Sequence, residues 1–93
     1  MSLSHVILDL KSSPEIEREI ENALMNSGIQ FNKEQISEYN HKLYLPPYYW
    51  AISIAVHIIR SKIDSLEGDF KLPDGKTFDL TLDGIEGVEK SFN

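Results

Sequence analysis

The spacing of apolar residues changes several times along this 93-residue chain, and two segments have the spacing of a helix. In residues 14–26 the apolar side chains recur three or four positions apart. Ser13 and Pro14 begin this segment and Gly28 follows it, as is typical of a helix start and a helix end. In residues 48–66 the apolar side chains cover about half of the helical circumference, which indicates a deeply buried helix.

Alternation of apolar and polar residues predicts strands elsewhere, because side chains two positions apart share one face of a strand. Residues 5–10 alternate in this way and predict the first strand. Residues 70–72 and 77–82 predict a hairpin around the turn sequence Pro-Asp-Gly at 73–75. In its second strand we expect three apolar side chains to point inward: Phe78, Leu80 and Leu82.

The middle of the chain allows two interpretations. We favour a short strand at 29–31 that fades into an irregular stretch, followed by extended chain at 42–45 with its leucines inward. The alternative is a short helix that starts at Asn32, since Ile36, Tyr39 and Leu43 also have helical spacing.

The predicted order of elements is β-α-β-α-β-β, with an optional last helix in which Ile85, Val88 and Phe92 have compatible spacing. The simplest packing is an α+β two-layer sandwich, with two helices on one face of a three- or four-stranded sheet. If the first two strands pair in parallel, their connection is expected to be right-handed. The length predicts a single domain that spans residues 1–93.

The charge of the chain disfavours two classes of partner. Its 15 acidic and 9 basic residues give a net charge of -6, and the basic residues form no cluster. Binding to nucleic acid or to anionic lipid depends on clustered cations, so neither partner is expected. No apolar run reaches the roughly 18 residues of a membrane span. The lack of cysteine and of a secretory signal pattern predicts a cytoplasmic protein.

Residues that could carry catalysis or hold a metal are sparse. There is no cysteine, so the chain has no thiol nucleophile and no thiolate ligand. His5, His41 and His57 lack the spacing that presents two ligands to one ion, and we interpret them as unrelated surface or rim residues. The glutamates at 15–21 are expected around an exposed helix start, where they complement the helix dipole. We predict no catalytic residue, no metal site and no cofactor.

An aromatic segment at residues 44–50 is the most informative stretch of the sequence. Trp50 falls almost opposite the apolar arc of the long helix. Together with Ile54 and His57 it forms a second stripe on the side that should be polar. Either residues 32–45 or the C-terminal segment cover this tryptophan, or it belongs to a contact surface, where exposed aromatic residues are typical anchors.

The leading hypothesis is a small non-enzymatic cytoplasmic domain that acts through protein–protein contacts, as an adaptor, an immunity-type inhibitor or an antitoxin-like partner. A homo-oligomer, most simply a homodimer, is the commonest form of such a surface. The predicted interface residues are Tyr48, Trp50, Ile54 and His57. The negative charge suits a basic protein partner better than an acidic one.

The alternative hypothesis belongs to another class. It is a small-ligand binding module or a minor enzyme, with a pocket near the aromatic segment 44–50. The polar groups of that pocket would be His41, Tyr44 and His57.

Overall fold

Five strands and three α-helices make up the computed structural model, which describes residues 5–92. In chain order the elements are β1 (Val6–Lys11), α1 (Pro14–Asn26), β2 (Asn32–Ser37), β3 (Asn40–Leu45), α2 (Tyr49–Arg60), a 3-10 turn (Ile63–Ser65), β4 (Glu67–Lys71), β5 (Thr77–Asp79) and α3 (Leu82–Ser91). The strands form one antiparallel sheet in the order β2-β3-β1-β4-β5. The class is α+β.

One face of the sheet carries the core. Leu8 of β1 is paired with Leu43 of β3 on one side and with Phe70 of β4 on the other, and all three side chains are fully buried. The opposite face, which includes Asp9 and Lys42, is only partly covered or exposed. The helices therefore all lie on the apolar face, where α2 packs against both α1 and α3. This arrangement leaves one side of each helix in contact with solvent.

The predicted bounds of α1 are confirmed. Ser13 is its N-cap, and the Ser13 hydroxyl accepts a hydrogen bond from the Ile16 backbone N–H at 3.4 Å. At the other end the Ile29 N–H donates to the Leu24 carbonyl, while Gly28 takes a φ of 77°. A left-handed residue with this hydrogen bond is a common way to end a helix.

The middle of the chain differs from both interpretations. The strand predicted at 29–31 begins only at Asn32, and the alternative helix is absent, since β2 and β3 form a hairpin instead. Every residue of β2 is exposed, because β2 is an edge strand. Such a strand has no apolar alternation for a sequence pattern to detect. The extended chain with Leu43 and Leu45 inward is confirmed and forms the end of β3.

The extra hairpin changes the order of elements to β-α-β-β-α-β-β-α, with five strands and three helices rather than three or four strands and two helices. The conditional right-handed crossover does not arise, because β3 lies between β1 and β2 and the neighbouring strands are antiparallel. The single domain over residues 1–93 stays a prediction.

Two predicted element ends are wrong. The long helix stops at Arg60 rather than at residue 66, and Gly68 lies inside β4 instead of ending that helix. The second strand of the C-terminal hairpin stops at Asp79, so Leu82 does not point inward. It starts α3, where Thr81 caps the helix by accepting a hydrogen bond from the Gly84 N–H at 3.1 Å.

Candidate functional site

The solvent side of α2 carries an unusual set of residues for the outside of a helix layer. Trp50 and His57 are seven positions apart, so they differ by only about 20° around the helix axis. Ser53 and Ile54 lie between them on the two shoulders of the same face. We call these four residues the α2 outer face. The buried residues of the helix lie opposite: Ala51, Ile52, Ala55, Val56 and Ile59.

Three consecutive aromatic side chains surround the beginning of α2. Tyr48, the N-cap, is 57% exposed, Tyr49 is 51% exposed and Trp50 is 50% exposed. Pro46 and Pro47 precede them, which prevents the helix from starting earlier. We call the three residues the aromatic patch. Neither residues 32–45 nor the C-terminal segment as far as residue 92 seals the indole of Trp50.

Of the predicted interface residues, Tyr48, Trp50 and His57 are exposed, and Ile54 is partly buried against the core. Because α2 is the middle helix, its flanks contact α1 and α3 and this outer strip remains open. The role of the four predicted residues as an interface stays a prediction.

The helix that carries this face contains no carboxylate. Its only charged side chain is that of Arg60, whose guanidinium lies 3.4 Å from the carboxylate of Glu89 on α3. Just beyond its end, the Lys62 ammonium lies 3.5 Å from Glu19 on α1. The α2 outer face therefore contributes no acidic residue of its own, and Glu89 beside Ser53 is paired with Arg60, although the chain carries a net charge of -6.

The three residues of the ligand-binding alternative do not come together. His41 points from β3 into the core, whereas Tyr44 lies on the opposite face of the same strand. His57 is exposed on α2. A pocket does exist beside the aromatic segment, but only one of these three residues lines it.

That pocket has a volume of about 320 Å³ and is lined mainly by aromatic and proline side chains. Its lining includes His5, Phe31, Tyr44, Pro46, Pro47 and Tyr48. The rings of His5 and Tyr44 meet edge to face, with their centroids 6.1 Å apart. The Tyr44 hydroxyl donates a hydrogen bond to Glu34 at 3.0 Å, and this bond raises the pKa of Tyr44. Binding of a small ligand in this pocket stays a prediction.

A cluster of ionisable side chains lies beneath α1, where the sequence predicted only surface residues. His41 is fully buried and Glu17 is buried, so both expectations are wrong. His41 Nδ1 lies 3.1 Å from Glu17 Oε2, although the geometry is not that of a hydrogen bond. Lys33 reaches in from β2, with its ammonium 3.3 Å from Glu17 and 3.4 Å from Glu21.

The cluster lowers the pKa values of His41 and Glu17 and raises those of Glu21 and Lys33. Burial lowers the pKa of His41 and outweighs the attraction of Glu17 and Asp9. Burial also opposes the charge of Glu17, but the neighbouring Glu21 and Lys33 side chains and the charge of His41 lower the pKa of Glu17 overall. Burial and the neighbouring Glu17 raise the pKa of Glu21. The close contact with the Glu17 carboxylate raises the pKa of Lys33.

One sequence signal could have revealed this cluster. His41 precedes Leu43 and Leu45 at two-residue spacing, so the confirmed strand already placed its side chain on the core face. Glu17 could not be found in the same way, because its burial depends on which strands lie under α1.

We expect His41 to make the protein less stable as the pH falls below about 6.5, the ordinary pKa of histidine. Because the folded-state pKa of His41 is lowered, the unfolded chain binds the proton more readily, and acid favours unfolding. The charged groups that act on His41 are Glu17 on α1, Lys33 on β2 and, from the other face of the sheet, Asp9 on β1.

The measurement is the free energy of unfolding in urea, taken between about pH 7.5 and 5.5 so that most carboxylates stay ionised. His41→Gln should flatten the pH dependence. If the unfolding free energy of His41→Gln depended on pH as strongly as that of the parent, His41 would not be the cause of the acid destabilisation.

Two features are absent from residues 5–92. No helix there has both the length and the apolar character needed to cross a membrane. Within the same residues, no group of three or more His, Asp or Glu side chains could hold a metal ion. No protein-family model, curated protein or solved structure matches the chain.

Proposed function

We propose that this chain is a non-enzymatic protein-interaction domain that acts as a homodimer, with a second copy covering the α2 outer face. One observation carries the proposal. Trp50, the single tryptophan of the chain, is half-exposed in the first turn of a helix whose opposite side is buried. Large aromatic side chains at such positions are typical anchors of protein interfaces.

The second copy is the favoured occupant because the face is self-complementary under a twofold axis. An antiparallel pairing of two α2 helices, centred between Ser53 and Ile54, places Trp50 of each copy against His57 of the other. The small Ser53 at the centre allows the helices to approach closely. A twofold interface uses the same surface on both copies, and in this pairing each Trp50 meets the His57 of the other copy.

The charge distribution also favours a second copy as the partner of the α2 outer face. Two copies with a net charge of -6 repel one another over most of their surfaces. This repulsion is weaker at the α2 outer face, because α2 has no carboxylate and the neighbouring Glu89 is paired with Arg60. The face is small compared with the ~800 Å² that each partner of a stable complex buries. We therefore expect a dissociation constant on the order of 10–100 µM.

We expect Trp50→Ala to weaken dimerisation about 30-fold or more, which corresponds to an interface anchor worth about 2 kcal/mol. The variant should keep the parental far-UV circular dichroism, since the indole is half-exposed and lies outside the core. Sedimentation velocity over a concentration series measures the association.

Tyr39→Ala is the matched control, because Tyr39 is an aromatic residue with 57% exposure in the β2–β3 turn, away from α2. It should dimerise like the parent. A parent protein that is monomeric at about 1 mM, or a Trp50→Ala protein that sediments like the parent, would overturn the proposal.

The possible roles of such a dimer are those predicted from the sequence: an adaptor, an immunity-type inhibitor or an antitoxin-like partner. Its location in the cytoplasm stays a prediction.

A further inference from the structure

An apolar groove lies at the end of the molecule where β4 begins and β5 ends. Its volume is about 470 Å³. Leu66 and Leu80 are buried in its lining, and Ile63 is partly buried there. Leu82, in the first turn of α3, is 51% exposed beside them. The groove therefore offers an aliphatic surface that the described part of the chain leaves open.

The charged side chains that line this groove are all acidic. They are Asp64, Glu67 and Asp79, each exposed, and no lysine, arginine or histidine lines it. Among residues 5–92 none of the three carboxylates forms a salt bridge. Lys62, the nearest cation along the chain, is paired with Glu19 instead, and Lys11, the cross-strand neighbour of Glu67, forms no salt bridge with it. The groove is therefore lined by negative charge alone, which attracts a cationic partner.

We propose that this groove binds a short basic segment of a partner protein, with an aliphatic side chain seated against the leucines and flanking Lys or Arg residues facing the carboxylates. Charge complementarity selects this occupant. A second copy of the chain brings a net charge of -6 and is disfavoured. A nucleic acid is disfavoured for the same reason, since its phosphates would meet three carboxylates.

The two sites are separate. The groove begins after the C-terminal end of α2, whereas Trp50 lies in the first turn, roughly 15 Å away along the 12-residue helix. No residue of the α2 outer face lines the groove. Binding in the groove is therefore independent of dimerisation, and either proposal can fail while the other holds.

The test is fluorescence anisotropy with the full chain and a labelled peptide, Lys-Lys-Leu-Lys-Lys. Its control is Lys-Lys-Ser-Lys-Lys, which keeps the charge and lacks the aliphatic anchor. We expect the leucine peptide to bind at least about tenfold more tightly than the serine peptide, and to weaken as salt screens the carboxylates. Leu82→Ser should remove most of this preference, and it should fold because the side chain is exposed.

The charge test uses the double variant Asp64→Asn with Glu67→Gln, which should weaken binding of the leucine peptide about tenfold. The matched control is Glu15→Gln with Glu38→Gln, which removes the same charge from exposed positions outside the groove. Equal binding of the two peptides overturns the proposal, as does equal binding by the two double variants. No binding at about 1 mM peptide overturns it as well.

Discussion

Replacing Gly68 by alanine is expected to unfold the protein or leave it only partly folded. Gly68 has a φ of +152°, a conformation that other residues rarely adopt. It is paired with Leu10 on the central strand, and an added Cβ would overlap the backbone carbonyl oxygen of Asp9 and come within 3.2 Å of Leu10 Cα. A backbone atom cannot rotate away as a side chain can, so β1 and β4 must separate.

The expected loss is more than about 3 kcal/mol, within the range of severe backbone and packing changes. A domain of this size has a total stability near the low end of ~5–15 kcal/mol, so a loss of this magnitude is decisive. Circular dichroism during urea unfolding measures it.

Gly28→Ala is the matched control, because Gly28 also has a positive φ, +77°, but an added Cβ meets nothing within 4 Å. The Gly28→Ala variant should lose only about 1–2 kcal/mol of unfolding free energy, which is the cost of a left-handed backbone conformation for alanine. The contact with Asp9 would be refuted if the two alanine variants were equally stable.

Replacing Gly84 by alanine is expected to destabilise the protein by about 1–3 kcal/mol, the usual cost of overpacking. Helix propensity alone predicts the opposite sign, since alanine is favoured over glycine within a helix by about 1 kcal/mol. The added Cβ, however, would overlap the backbone carbonyl oxygen of Asp79, against which the first turn of α3 lies. The helix must then move away from β5.

Glu86→Ala is the control in the same helix, because Glu86 is exposed and its substitution tests propensity without the contact. It should change the free energy of unfolding by less than about 0.5 kcal/mol. A Gly84→Ala protein that is more stable than the parent in urea would show that α3 does not need this close approach.

Patterns that are local and periodic predicted the structure best. The bounds of α1 are correct because its cap, its first-turn proline and its apolar stripe all lie within one segment. β2 was missed because an edge strand is exposed on both faces, and its Lys33 reaches inward as a charge rather than as an apolar side chain. The last helix was only optional in the sequence, whereas Gly84 and Gly87 let it lie against β5 in the structure.

The candidate sites also differ in how far local sequence patterns could predict them. The position of Trp50 opposite the apolar arc followed from helical periodicity, and its exposure agrees with that reading. The acidic groove could not be predicted, since it brings together residues from the 3-10 turn, β4, β5 and the start of α3. Leu82 in particular was assigned to the core by alternation, and the chain's turn into α3 placed it outside.

The amino-acid order alone decided the α+β class, the start and end of α1, the apolar side of α2 and the acidic charge, because each depends on neighbours within a few residues or on composition. The tertiary structure decided the strand order, the burial of His41 with Glu17, and the groove beside Leu82. These depend on which segments meet after folding, and no local pattern encodes contacts between residues that are distant in the chain.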